Sequence, residues 1–456
     1  MDERITINTA CGEVTGIQRD GYTEWRGIRY AVAERFELPV PVTGWEGTYD
    51  ASVWGSRAPQ YYGFYNMAES NVSQFYLDES TFQYPGAYSE DCLFLNIWAP
   101  DSGENGPVLV YIHGGSFLTG SNTDTVIDGE AFARRGIVMV AINYRLGPFH
   151  QVYGDGFTGN LALADQAAAL HWIRDNIADY GGDPSRITVM GESAGAVSVQ
   201  DLLISPLIEE GLLSGAVMMS GGGDLRALNT PVSPGVIEGE WRQVKNLLGA
   251  QSIQELKTVD AKQLYSAWLK CGGTAAPTVN GRELMCGVTE ALDSGAVQDI
   301  PVIIGMLSED MWPYTLYKAA AEYAAQRARA GGAPVYLYYF DRQIDKTFGA
   351  FHAGDLYYMF GTLCRSRRVV DETDCRISEA MISYLSHFVK TGNPNGPGLT
   401  IWEPAGGETI RFMHFGDKDD GMISPDTSLL SKNEATRSPF PYAMSIQVNP
   451  TSSGKG

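Results

Sequence analysis

The chain has 456 residues, of which 44% are hydrophobic and 19% charged, and a formal net charge of −21. That balance describes a globular protein with a substantial core, and domains of ~100–200 residues leave room for two or three of them. The negative charge argues against nucleic acid or an anionic membrane as partner, since both would repel the chain, and no apolar run approaches the ~20 residues of a membrane span.

The start, Met1-Asp2-Glu3-Arg4-Ile5-Thr6, has no basic n-region and no apolar h-region, so no signal peptide is expected and a cytoplasmic location follows. Residues 60–89 are rich in Tyr and Phe but lack periodicity. They read as a long loop that either lines a pocket mouth or packs on the surface. Val108–Ile112 and Ile137–Ile142 read as buried strands, and Leu161–Tyr180 as a helix with Leu163, Ala167, Leu170, Ile173 and Ile177 on one face.

Further strands are expected at Ser185–Met190, Ala216–Met219, Pro301–Ile304 (closed by Gly305) and Val335–Phe340. A helix spans Tyr314–Ala330 between Pro313 and Gly331, and another spans Ile377–Lys390, closed by Gly392. Continuous apolar runs alternating with helices predict an α/β fold, a mostly parallel sheet covered on both faces. We read one domain over residues 1–450, with a flexible tail at 451–456.

Cysteines 11, 92, 271, 286, 364 and 375 form no C-x-x-C pair and have no histidine at zinc-ligand spacing. Neither a metal nor a cofactor is expected. Reduced, buried thiols are expected, although Cys364 and Cys375 are close enough in sequence to meet.

The chemistry centres on Gly191-Glu192-Ser193-Ala194-Gly195, set between the strand at 185–190 and a helical run from Ala196. Strand, G-x-S-x-G turn and helix make a nucleophile elbow, which points to Ser193 as a nucleophile. An acyl-transfer serine needs oxyanion donors, a base and an acid. His113-Gly114-Gly115 follows a strand directly, so the N–H groups of Gly114 and Gly115, with that of Ala194, are the expected donors. Of six histidines, chain order leaves His352, His387 and His414. His387 falls in a helix and His414 in a strand, whereas His352 falls in a small-residue loop after a strand. Glu309 and Asp310 both follow the strand at 301–304, and their chemistry alone does not choose the acid.

These residues, together with Glu90-Asp91-Cys92-Leu93-Phe94-Leu95-Asn96, Asn143-Tyr144-Arg145-Leu146-Gly147, Tyr180-Gly181-Gly182-Asp183-Pro184 and Gly392-Asn393-Pro394-Asn395, resemble the type-B carboxylesterase family, from about Gly12 to Trp402. This is the carboxylesterase/cholinesterase-like branch of the α/β-hydrolases. The resemblance implies a twisted, mostly parallel sheet flanked by helices, and a small-molecule ester as substrate. It also implies a Ser193–His352–acid triad. The family acid stands five residues after the glycine that ends its strand. Counting from Gly305 lands on Asp310, while Glu309 keeps the usual residue type but not the register.

The resemblance further implies ion pairs of Arg145 with Asp165 and Arg35 with Glu90, with Ala58 where relatives bridge Cys92. Only 42 positions (352 − 310) separate Asp310 from His352, where the family usually inserts several helices. A reduced lid, a shallower site and a partial wall from Trp312 and Tyr314 are therefore expected, with core packing the other reading of those two aromatics. An amidase or carbamate hydrolase with the same machinery is the alternative function, and a non-catalytic binding protein a more distant one. The oligomeric state has no signature in the sequence.

Overall fold

The computed structural model describes residues 3–60, 87–101, 103, 105–223, 232–343, 349–406, 410–417 and 421–436. Most of the aromatic stretch at 60–89, and the tail at 451–456, lie outside them. One sheet dominates. Its strands are β1 (Glu3–Thr9), β2 (Gly12–Gln18), β3 (Tyr22–Arg29), β4 (Phe94–Pro100), β5 (Gly106–Ile112), β6 (Val138–Ile142), β7 (Gly182–Glu192), β8 (Gly215–Met219), β9 (Val302–Leu307), β10 (Val335–Phe340), β11 (Phe412–Phe415) and β12 (Gly421–Ile423). The spatial order is β1-β2-β3-β4-β6-β5-β7-β8-β9-β10-β11-β12, and a short strand, Thr48–Asp50, pairs with β2.

From β6 to β11 every pairing is parallel, whereas β1 to β4, the β4–β6 pair and the β11–β12 pair are antiparallel. Strands β1 to β3 were not read from the sequence, because they interleave Thr, Glu and Arg with their apolar residues. Most of the parallel strands are near-continuous apolar runs because successive side chains enter different cores. Val108, Val110 and Ile112 join one core, with Val302, Ile304 and Leu337. Leu109 and Tyr111 join the other, with Ile303, Tyr336 and Tyr338.

Helices α1 (Leu161–Asn176), α2 (Ala194–Leu202) and α3 (Pro313–Arg329) pack into the first core, and α4 (Glu372–Thr391) into the second. Two expected boundaries are corrected. Gly305 does not end its strand: it pairs with Met219 and Tyr338 inside the sheet, and the Tyr338 ring occupies the space a Cβ would need. The α4 helix starts five residues before Ile377, because a capping box between Asp371 and Asp374 anchors a polar first turn that has no apolar stripe.

Arg145 and Asp165 form a buried two-armed pair at 2.7 Å, and Arg35 is bonded to Glu90. All six cysteines are free. Cys11 and Cys92 are buried as expected, but Cys364 and Cys375 are exposed. Among the described residues no helix is long and apolar enough to cross a membrane.

Candidate active site

The parallel strands deliver their C-terminal ends to one place. Strand β7 stops at Glu192, α2 starts at Ala194, and Ser193 between them has φ 55° and ψ −120°. A non-glycine residue in such backbone is strained and persists only where its surroundings hold it. Here the neighbours enforce the turn. A Cβ on Gly191 would lie 2.2 Å from the Gly195 carbonyl oxygen, and one on Gly195 would lie 2.1 Å from that of Ile112. Both clashes are with backbone, so no side chain can move aside. The Ser193 N–H donates to the Met219 carbonyl at 2.8 Å, tying the elbow to β8.

The loop after β5 closes over this elbow. A Cβ on Gly114 would sit 2.7 Å from the Glu192 carbonyl oxygen and 3.1 Å from Ser193 Cβ, so only glycine lets this backbone come so near. Gly115 (φ 100°) is followed by Ser116 and Phe117 with φ of 57° and 58°. His113 anchors the loop. Its ring stacks on Tyr144 with centroids 4.4 Å apart, and its carbonyl accepts from the Tyr144 hydroxyl at 2.8 Å. Burial holds its pKa down at about 4. Gly114 and Ala194 thus both border Ser193, with Gly115 one residue further along the loop.

His352 hangs in the turn beyond β10, and its Nδ1 lies 2.6 Å from Asp310 Oδ1. Asp310 follows β9 and is fully buried. Its Oδ1 also accepts the Met311 N–H at 2.8 Å, and its Oδ2 accepts the Ser220 hydroxyl at 2.7 Å. The carboxylate is therefore fixed on both oxygens. Glu309 points elsewhere: its N–H donates to the Ala350 carbonyl at 3.1 Å, and its carboxyl fills the space beside Gly349. His414 bonds Asp341 at 2.7 Å, and His387 packs over Gly396. Neither approaches the elbow through those contacts.

Three further groups were missed by the sequence reading. Glu192 Oε1 lies 3.2 Å from His352 Nε2, within ion-pair range but without an aligned hydrogen bond. Its only sequence signal was its place as the variable residue of G-x-S-x-G. Ser220 directly follows β8, and Asp355 lies three residues after His352 with its Oδ2 accepting from the Tyr338 hydroxyl at 2.6 Å. Burial pushes the Glu192 carboxyl up to about 8 and the Asp355 carboxyl up to about 6. Burial alone would lower the His352 pKa, but Glu192 and Asp310 outweigh it and push the ring up to about 9. Trp312 and Tyr314 are half-buried at the start of α3, with Tyr314 against the first core and the Lys318 amine 5.8 Å over its ring.

The sequence pattern of the carboxylesterase family matches residues 3–317 and 307–433. The chain belongs to the carboxylesterase family. It is a carboxylic ester hydrolase of the α/β-hydrolase fold. It is 29% identical to the para-nitrobenzyl esterase of Bacillus subtilis (strain 168), over 85% of this chain and 90% of the relative. With the phenmedipham hydrolase of Pseudarthrobacter oxydans it shares 28%, over 92% and 96%. A solved PNB esterase structure superposes with a TM-score of 0.80 at 26% identity, covering 94% of this chain and 99% of that one.

Proposed function

We propose that this carboxylesterase hydrolyses small-molecule esters through an acyl-enzyme carried on Ser193. His352 takes the Ser193 proton at Nε2, the hydroxyl oxygen attacks the ester carbonyl, and the N–H groups of Gly114, Gly115 and Ala194 hold the oxyanion. Protonated His352 then gives its proton to the leaving alcohol. Water, deprotonated in the same way, releases the acid and frees the serine. Asp310 is the acid that orients the ring, and Glu309 is not. The observation that carries this reading is the 2.6 Å bond from His352 Nδ1 to Asp310, which leaves Nε2 turned toward the elbow residue Glu192.

The short interval between Asp310 and His352 supports a shallow, open site that admits bulky acyl groups. Of the described residues there, α3 and β10 make up most. We propose Trp312 and Tyr314 as part of the wall.

The test is Ser193→Ala, assayed on a p-nitrophenyl ester and with a fluorophosphonate label. Turnover is expected to fall by roughly 10⁶-fold, as in other serine hydrolases stripped of the nucleophile, and labelling is expected to vanish. Wild-type turnover in Ser193→Ala would refute the proposal. A wild-type protein that neither turns over nor labels would point to a binding protein instead.

A further inference from the structure

Helix α3, which follows Asp310, starts without a cap of its own. The residue before it is Trp312, whose indole can donate but not accept, and its first turn holds no acidic side chain. The first N–H groups of a helix have no partner inside it and favour negative charge. Pro313 has no N–H to satisfy. Thr315, third in the helix, is served from elsewhere. Its N–H donates to Glu434 Oε2 at 2.8 Å and its hydroxyl to Glu434 Oε1 at 2.9 Å. A capping side chain normally sits just before the helix whose second or third N–H it accepts; this one comes from 119 positions further along the chain.

Glu434 lies on helix α5 (Thr427–Thr436), which is itself well anchored. Asp426, just before it, accepts the N–H groups of Ser428 and Leu429 at 2.9 and 3.3 Å. Leu430 is wholly buried in the first core. The neighbour of Glu434 makes a second grip: Asn433 Nδ2 donates to the Ser308 carbonyl at 2.9 Å. Helix α5 therefore holds the chain on both sides of Asp310, at Ser308 before it and at Thr315 after it.

The segment between those two points connects the sheet to α3. On the sheet side, the Ser308 N–H donates to the Phe340 carbonyl and the Glu309 N–H to that of Ala350. The Ser220 hydroxyl and the Leu307 N–H reach the Asp310 carboxylate from the same side. The Met311 N–H also bonds that carboxylate, but it moves with the segment. Where the segment turns into α3, the grip comes from Glu434. The 2.6 Å contact of Asp310 with His352 depends on where this segment lies.

We infer that Asn433 and Glu434 are positioning residues that hold Asp310 against His352. They act through the backbone at Ser308 and Thr315 rather than on the ester. The inference rests on Asp310 being the acid of the proposed triad.

The test uses the full chain and a neutral p-nitrophenyl ester, with urea unfolding to show that each variant is folded at the assay temperature. Glu434→Ala removes both bonds to Thr315, whereas Glu434→Gln keeps an acceptor for the N–H and a donor for the hydroxyl. A catalytic group misplaced by about 1 Å can cost ~10²-fold, so Glu434→Ala is expected to lose roughly 10- to 100-fold in kcat. Its KM should stay within about 2-fold of wild type, because no bond to substrate is removed. Asn433→Ala should lose less, and Glu434→Gln should recover most of the rate. The deciding arm is Glu434→Ala combined with Asp310→Asn. With the acid already gone, moving its segment should cost nothing further, so the double variant should match Asp310→Asn alone. A wild-type kcat in Glu434→Ala overturns the inference, and so does an equal loss in the wild-type and Asp310→Asn backgrounds; both leave the triad intact. A wild-type kcat in Asp310→Asn overturns the choice of acid and this inference with it.

Discussion

The His352 ring meets a carboxyl at each nitrogen, Asp310 at Nδ1 and Glu192 at Nε2. Only the first contact serves a base that must accept a proton at Nε2; the second favours the imidazolium, which accepts none. Because Glu192 and Asp310 outweigh burial and push the ring up to about 9, it should lose its proton above the ordinary imidazole range. The kcat/KM of a neutral ester should therefore rise with pH through the alkaline range. Glu192→Gln removes one of the charges that raise the ring, so its acid limb should move to lower pH. An acid limb that stays in place would mean that Glu192 does not act on His352. The choice of acid is tested the same way. Asp310→Asn should lower kcat by roughly 10⁴-fold, as expected when the ring loses its orienting carboxylate, whereas Glu309→Gln should keep most of the activity. A larger loss in the second variant would reverse the assignment.

At the scale of elements, the elbow depends on missing atoms. Gly195→Ala would put a methyl 2.1 Å from the Ile112 carbonyl oxygen, with backbone on both sides of the contact. Relief requires α2 to shift away from β5, and α2 carries the Ala194 N–H. We expect a cost of about 1–3 kcal/mol or more in urea unfolding, with kcat falling further than that loss explains. Full activity would mean that the turn is softer than its contacts imply. These same elements show how far the sequence reading reached. Strand β10 was placed at both ends, because Val335–Phe340 is an unbroken apolar run that ends where polar residues begin. Gly305 was misplaced because a glycine reads as a breaker, and only the Tyr338 ring across the sheet explains it as an interior residue. The first turn of α4 was missed because its stability comes from a cap rather than from an apolar face.

At the scale of the molecule, the net charge of −21 was visible from composition, but its focus was not. Glu192 ends β7 while Asp310 and Asp355 come after β9 and β10, and only the parallel sheet brings these positions together around one histidine. The chain as a whole is strongly negative, and fields of one sign at a cleft alter association rates by ~10–10³-fold. An ester with an acyl-terminal carboxylate should be a poor substrate at low salt, and its kcat/KM should climb several-fold as ionic strength rises and the Debye length shrinks toward ~3 Å at 1 M. A neutral ester of the same length should change little over the same series. If both respond alike, salt is acting on the fold rather than on the encounter. If neither responds, the surface charge is too far from the cleft, and the buried carboxyls near His352 are too largely neutralised, to repel an anion.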